Sequence, residues 1–196
     1  MKEIILASKS PRRKELLKIL IGNNFKVRES SYQEDNMLNM PPKELILYHS
    51  LEKGKDVQRR EKNAVVISAD TVVVFSGKIF GKPKTKEKAT KMLKSFSNNV
   101  VEVMTGIAVL SEQKELQDYE ITKLKMKNIS DQEIRLYLES KEPLGLAGAF
   151  GIQSKAAVFI KEIQGDYFNV VGLPLFKLNN LLNRVGISIF DYRKNL

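Results

Sequence analysis

The stretch Leu6-Ala7-Ser8-Lys9-Ser10-Pro11-Arg12-Arg13 decides how the chain is read. Before it runs Ile4-Ile5-Leu6, a short apolar segment of the kind that forms a buried strand. After it comes Glu15-Leu16-Leu17-Lys18-Ile19-Leu20, with apolar residues spaced for one face of a helix. Pro11 suits the first helical position, where its missing N–H would have had no partner, and Ser10 then becomes the N-cap. A strand feeding a helix whose first turn carries Ser8, Ser10, Arg12 and Arg13 makes an anion site. Free backbone N–H groups, the helix dipole and two guanidinium forks all favour phosphate there. Taken alone, the same residues also read as a plain helix start with two solvated arginines.

Working outward, Phe25-Lys26-Val27-Arg28 alternates like a short strand, and 29–39 is polar and loop-like, with Glu34 and Asp35 inside it. Pro41-Pro42 opens a helix from Lys43 to about Gln58, with Leu45, Leu47, Leu51 and Val57 as its apolar positions. Lys53 and Lys55 fall late in that helix, where cations suit its end. His49, the only histidine, lacks a partner motif and reads as a surface or half-buried helix residue.

Ala64-Val65-Val66-Ile67-Ser68-Ala69 reads as a central strand buried on both faces. The expectation is that it ends at Asp70-Thr71 and resumes as Val72-Val73-Val74-Phe75. A carboxylate interrupting a β-branched run is costly to bury unless paired, protonated or bound to a cation. Asp70 is therefore the most informative single residue. A strand-end aspartate bonded to local N–H groups is the structural alternative.

Ser76-Gly77 reads as a turn and Gly81-Lys82-Pro83 as a second break. Thr85 caps a helix through Lys94 with Ala89, Met92 and Leu93 inward. Val100–Leu110 and Tyr119–Met126 read as longer strands, and Ser130-Asp131-Gln132-Glu133 is a capping box closed by Glu142-Pro143. The glycines of Gly145–Gly151 are a weak signal, since such spacing also serves ordinary turns. Ala156–Ile163 reads as a further apolar strand, Gly165-Asp166 as a hairpin-type turn, and Gly172-Leu173-Pro174 as the opening of a last helix to about Arg184. No repeat, low-complexity tract or linker divides the chain, which predicts one domain over 1–196, with two lobes around a cleft.

The 196 residues are 42% hydrophobic and 29% charged, ordinary values for a folded soluble protein. The absence of cysteine excludes disulfides, thiolate zinc sites and a cysteine nucleophile, and is compatible with the cytosol. No signal-peptide core or bilayer-length apolar run is present. A formal net charge of +10 suits nucleic acid, anionic membranes or phosphorylated substrates. The lysines are spread along the chain rather than gathered in one block, which favours a solvated basic surface over a nucleic-acid face.

Phosphate-loop, zincin, nucleophile-elbow and Rossmann motifs are all missing. What remains is a scattered set of cations (Arg12, Arg13, Lys53, Lys82), carboxylates (Glu34, Asp70) and hydroxyls (Ser8, Thr71). Cations that hold phosphates, beside carboxylates that hold a divalent metal or activate water, suit phosphoanhydride hydrolysis.

The chain resembles the Maf family of nucleoside triphosphate pyrophosphatases almost end to end. Besides the opening stretch, the resemblance rests on Ser68-Ala69-Asp70-Thr71-Val72-Val73, Gly81-Lys82-Pro83, Met104-Thr105-Gly106, Glu120-Ile121-Thr122 and Lys141-Glu142-Pro143. It continues through Ala147-Gly148-Ala149-Phe150-Gly151-Ile152-Gln153, Gly165-Asp166-Tyr167 and Val171-Gly172-Leu173-Pro174. It implies a mixed α/β fold of the inosine-triphosphate-pyrophosphatase type, a curved sheet flanked by helices with a deep cleft between two lobes. It also implies a cytoplasmic enzyme, often homodimeric, that splits a nucleoside triphosphate into monophosphate and pyrophosphate with Mg²⁺ or Mn²⁺.

By the same resemblance Asp70 falls on the proposed general base, and Arg12, Thr71 and Gln153 on positions associated with substrate choice. Ser8, Arg13, Glu34, Lys53 and Lys82 match other polar cleft positions. The chemistry agrees: Arg12 and Arg13 would hold the triphosphate, while Lys53 and Lys82 would offset charge on the leaving pyrophosphate, Lys82 as a catalytic group. Asp70 would bind the metal with Glu34, or take a proton from the attacking water. Gln153 has the donor and acceptor needed to read a base edge.

Thr71 and Gln153 resemble the branch acting on dTTP and UTP rather than on 7-methyl-GTP. Two departures stand out: Gly145-Leu146 replaces an Asp-Lys pair common in that branch, and Gly54 follows Lys53 where alanine is usual. A nucleotide- or nucleic-acid-binding regulator without catalysis, linked to septum formation, is the rival reading.

Overall fold

The computed structural model of the chain describes residues 2–35, 38–140 and 142–192. Its centre is β3 (Val65–Phe75), an uninterrupted strand of eleven residues. The β-branched run is continuous enough to carry the strand straight through Asp70-Thr71, where the sequence predicted a break. Around it lie β1 (Ile4–Leu6), β2 (Lys26–Val27), β4 (Lys78–Phe80), β5 (Val100–Leu110), β6 (Glu115–Met126) and β7 (Ile160–Gln164). The sheet order is β2-β1-β3-β5-β6-β7, with β4 also paired to β3. β1 runs parallel to β2 and β3, and every other pairing is antiparallel, so the sheet is mixed.

Register decides where a site can form. β1 pairs with β3 only at 65–67, and β4 pairs with it only at 73–75. Between them, 68–72 of β3 have a strand partner on the β5 side alone among the described residues. The open edge lies just past the carboxyl end of β1, where ligands commonly bind in sheets with parallel strands.

The helices are α1 (Pro11–Ile21), α2 (Pro42–Gln58), α3 (Lys86–Phe96), α4 (Asp131–Glu139), α5 (Tyr167–Val171) and α6 (Leu175–Arg184). Successive β3 side chains point to opposite faces. Val65, Ile67 and Ala69 pack with Leu16, Leu17, Leu175 and Leu178 in one core. Val73, on the same face, joins a second core with Leu93, Phe96, Val103 and Phe150. Thr71 lies at the seam between them. The even-numbered residues face α2, where Val66 meets Val57, and Val72 and Val74 meet Ile46.

α2 lies very close to the sheet. A Cβ at Gly106 would stand 2.5 Å from the carbonyl oxygen of Ile46, and one at Gly54 would stand 2.4 Å from Leu110 Cδ1 and 2.7 Å from Ser68 Oγ. The glycine after Lys53 is thus the space that Leu110 and Ser68 fill. Gly106→Ala must push backbone against backbone, and we expect a loss of about 1–3 kcal/mol, the usual range for overpacking. Chemical denaturation measures it; an unchanged midpoint would mean α2 can retreat freely.

Local cues hold where they are chemical. Ser10 accepts from the Arg13 N–H, Thr85 from that of Lys88, and the Ser130–Glu133 capping box is complete. Two later expectations are corrected. Residues 155–159 form a 3₁₀ turn, Lys155–Phe159, that buries Ala156 and Phe159 three apart and leaves Val158 69% exposed. An apolar run alone does not distinguish that from a strand. Gly165-Asp166 is no hairpin turn: Asp166 caps α5 by accepting from the Phe168 N–H. β4 was not anticipated, and β6 begins at Glu115 because it pairs along the whole of β5. Lys141 of the Lys141-Glu142-Pro143 segment lies outside the described residues. Among the described residues, no helix is long and apolar enough to cross a membrane.

Candidate active site

Two polar clusters meet at the open edge of β3, one from each face of the strand. On the α2 face, Asp70 is 4% exposed and Lys53 8% exposed. Lys53 Nζ lies 2.7 Å from Asp70 Oδ1, 2.5 Å from Glu34 Oε1 and 3.4 Å from the Ala69 carbonyl. An ammonium has three donors, so this set uses all of them and leaves none for a phosphate. The sequence put Lys53 late in a helix, where cations suit its end, and beside the leaving group; the structure buries it between two carboxylates.

Glu34 reaches this cluster from the polar loop, which lies along α2 at three points. Asp56 accepts from Ser30 Oγ, Ser31 N and Ser31 Oγ; the Tyr32 hydroxyl meets His49 Nδ1 at 2.8 Å; and Glu34 meets Lys53. Positions 49, 53 and 56 fall on one stripe of a helix, which is why one loop can touch all three. His49 is 0% exposed, not the surface or half-buried residue expected, and its ring packs against Tyr32 and Tyr48. Burial, followed by neighbouring Tyr48 and Glu52, pushes the Tyr32 hydroxyl up to about 12, so it stays protonated.

Burial raises the Glu34 carboxyl, but the Lys53 ammonium and then Arg13 outweigh it, so Glu34 sits below the usual carboxylate range. A depressed folded pKa gives stability that is full above the unfolded value of about 4.3 and is lost as pH falls through the folded one. Glu34→Gln is therefore expected to flatten the fall in melting temperature below about pH 4.3. An acid limb identical to that of the parent would remove Glu34 from it.

On the other face lies a cleft of about 410 Å³ lined by Ser10, Arg12, Arg13, Thr71, Lys82 and Gln153, with Val73, Leu146, Phe150 and Ile152 as apolar wall. α1 aims its N-terminus here. Arg12, Lys82 and Gln153 are exposed, and no described residue forms an ion pair with Arg12 or Lys82. Gly148 N donates to the Gly81 carbonyl, tying the Lys82 loop to the loop carrying Leu146. Gly148 stands at φ 65°, and a Cβ there would lie 2.9 Å from Val73 Cγ2, so the chain turns where only glycine fits.

Arg13 is held from three sides. Nε donates to the Gly172 carbonyl at 2.8 Å, Nη2 to Thr71 Oγ1 at 3.0 Å and Nη1 to Ser8 Oγ at 3.4 Å. A guanidinium has five N–H groups. Two remain, one on each terminal nitrogen, as a fork for an anion. Burial pulls its pKa down while Asp70 and then Glu34 oppose that. Ser8 is buried, lies behind the cleft wall and also accepts from the Ser10 N–H.

The structure thus brings Arg12, Arg13, Thr71, Lys82 and Gln153 to one cleft, and Lys53, Asp70 and Glu34 to a cluster behind it. Ser8 and Arg13 stand between the two. Three participants were missed: Thr105 and Asn169, which bond behind Thr71, and Glu142, which lines the cleft and accepts from Lys155 N. Met104-Thr105-Gly106 and Lys141-Glu142-Pro143 were visible as motifs, but no local pattern reveals a cross-strand hydroxyl pair.

Asp70 Oδ2 is buried and has no hydrogen-bond partner among the described residues. A bare carboxylate oxygen beside a second carboxylate fits a hard divalent cation. Among the described residues no group of three acidic or histidine side chains is placed to hold a metal ion. The protein would supply two carboxylates, as is common for Mg²⁺, which keeps waters and takes substrate phosphates as its other ligands.

The family profile described as Maf-like protein matches residues 3–185. A protein of Methanosarcina barkeri named dTTP/UTP pyrophosphatase is 51% identical over 193 residues, covering 97% of this chain and 98% of its own. One of the same name from Bacillus pumilus is 43% identical over 190 residues, covering 97% and 100%. The solved structure of a HAM1 protein from Coxiella burnetii aligns over 64% of this chain and 73% of its own, at 17% identity and a TM-score of 0.43.

Proposed function

The chain belongs to the family of Maf-like proteins, and from that premise we propose that it is a nucleoside triphosphate pyrophosphatase acting on dTTP and UTP. The observation that carries this reading is the match, over nearly the whole of both chains, to relatives bearing that activity as their name. The cleft supplies a chemical basis for it. The Arg13 fork, Arg12 and the start of α1 suit a polyphosphate, and the apolar wall with Gln153 at the rim suits a base.

In the reaction, Arg13 and Arg12 hold the triphosphate against β3. Lys82, exposed at the cleft, neutralises charge that develops on the leaving pyrophosphate. Asp70 takes a proton from the attacking water, and Lys53, 2.7 Å from its Oδ1, holds the carboxyl group in place for that role. Asp70 and Glu34 would hold Mg²⁺ or Mn²⁺, which when bound withdraws charge from a phosphate oxygen. Leu146 adds to the apolar wall of the cleft against which a base would lie. The reading includes a cytoplasmic homodimer that works on the nucleotide pool.

The test is pyrophosphate release with Mg²⁺ or Mn²⁺ from dTTP, UTP, CTP, 7-methyl-GTP, ITP and the standard purine triphosphates. Selective turnover of dTTP and UTP is expected. Turnover of 7-methyl-GTP alone would reassign the substrate, and binding without turnover would make the protein a nucleotide-binding regulator.

A further inference from the structure

We propose that Thr71 is a positioning residue that acts on the polyphosphate only through Arg13, its own hydroxyl hydrogen being committed to a relay that ends on α5. The inference deepens the pyrophosphatase reading and rests on it for the identity of the ligand.

The direction of every hydrogen bond in the relay can be worked out from donors and acceptors. Thr105 Oγ1 has one hydrogen, and it is given to the Asn169 carbonyl at 3.1 Å, which can only accept. Thr71 and Thr105 are direct partners across β3 and β5, with their oxygens 3.0 Å apart. Because the Thr105 hydrogen is already spent, Thr71 must be the donor in that pair. Thr71 Oγ1 then receives Arg13 Nη2 at 3.0 Å. The order is fixed: guanidinium to Thr71, Thr71 to Thr105, Thr105 to the Asn169 carbonyl.

The far end is fixed as well. Thr105, Thr122 and Asn169 are all fully buried. The Asn169 amide donates to the Val103 carbonyl and to Thr122 Oγ1, each at 2.9 Å, while Thr122 donates to the Asp166 carbonyl at 2.9 Å. Both partners of the Asn169 nitrogen offer only lone pairs, so the amide cannot be turned around. The Gly172 carbonyl at the end of α5 takes Arg13 Nε. α5 thus grips the guanidinium twice, directly and through two threonines. Phosphate oxygens at neutral pH mainly accept, and Thr71 has no hydrogen left to offer them. Its place on the cleft wall therefore serves to aim the two open N–H groups of Arg13.

The experiment measures the dissociation constant of inorganic triphosphate by calorimetry for the parent, Thr71→Val, Thr71→Ser, Arg13→Ala and the double variant Arg13→Ala/Thr71→Val. Thr71→Val keeps the shape and removes the oxygen; we expect binding weakened about tenfold, the scale of one hydrogen bond to a charged group. Thr71→Ser should restore it. In the Arg13→Ala background Thr71→Val should have no further effect, because residues acting through one contact are not additive.

A full additional loss in that background would show that Thr71 bonds the ligand itself and would overturn the proposal, as would unchanged binding in Thr71→Val. If Thr71→Val does not fold, Thr105→Val breaks the same relay one step deeper, and unaltered triphosphate binding there would overturn it equally. Failure of the parent to hydrolyse any nucleotide would sink the pyrophosphatase reading, while triphosphate binding would still decide the relay.

Discussion

Asp70→Asn is expected to lower turnover of dTTP and UTP by about 10²-fold or more, the scale at which a general base contributes. The substitution keeps the shape of the side chain, and its amide oxygen can still accept from Lys53. Lys53 retains Glu34 and the Ala69 carbonyl, so no buried ammonium is left stranded. Loss of one partner of a buried pair often costs several kcal/mol because the other charge is then uncompensated; here the three-member cluster prevents that. The fold and the affinity for nucleotide should therefore survive while kcat falls. Steady-state kinetics with a melting curve separates the two. Near-normal turnover by a folded Asp70→Asn would remove Asp70 from the chemistry.

The second large effect is expected at Arg13. Its two open N–H groups form the one guanidinium fork that is fixed on the cleft wall, whereas Arg12 is exposed and unpaired among the described residues. Two charge-assisted hydrogen bonds at the lower end of their range, about 1.5 kcal/mol each, correspond to roughly 100-fold in affinity. Arg13→Ala should raise KM and the inhibition constant of inorganic triphosphate by about that factor, with a much smaller change for the nucleoside. Arg13→Lys should not recover the loss, since a single ammonium cannot reach Gly172, Thr71, Ser8 and a phosphate together. Equal weakening of triphosphate and nucleoside would show that Arg13 shapes the cleft rather than holding the phosphates.

Much of the fold was legible because its signals are local. The Ser10-Pro11 start of α1, the Ser130 capping box and the apolar runs of β3 and β5 each act within a few residues. The errors arise where a distant partner decides. Asp70 looked like a strand break because an isolated carboxylate in a β-branched run is costly; Lys53, seventeen residues away, offsets that cost and the strand continues. His49 looked like a surface or half-buried residue because nothing nearby suggested that the 29–35 loop would fold Tyr32 over it. An apolar stretch at 156–163 allowed a strand, and the burial of only every third side chain made it a 3₁₀ turn for its first half.

For the site, the opening stretch pointed to the helix start and the two arginines that line the cleft, and Asp70 stood out by its setting. Sequence alone could not say that Asp70 and Thr71, adjacent in the chain, serve opposite faces of β3. That alternation separates the Lys53–Asp70–Glu34 cluster from the cleft, while the open edge between β1 and β4 lets them meet. Thr105 and Asn169 were invisible for the same reason: their part is defined by register and topology, and they stand 64 positions apart in the chain.

On the proposed reaction, the cleft directs water to release pyrophosphate rather than orthophosphate. Phosphorus NMR of the products formed from dTTP tests it most directly. Thymidine monophosphate and pyrophosphate are expected in equal amounts from the first turnovers, with no diphosphate intermediate. Appearance of thymidine diphosphate with orthophosphate would contradict it.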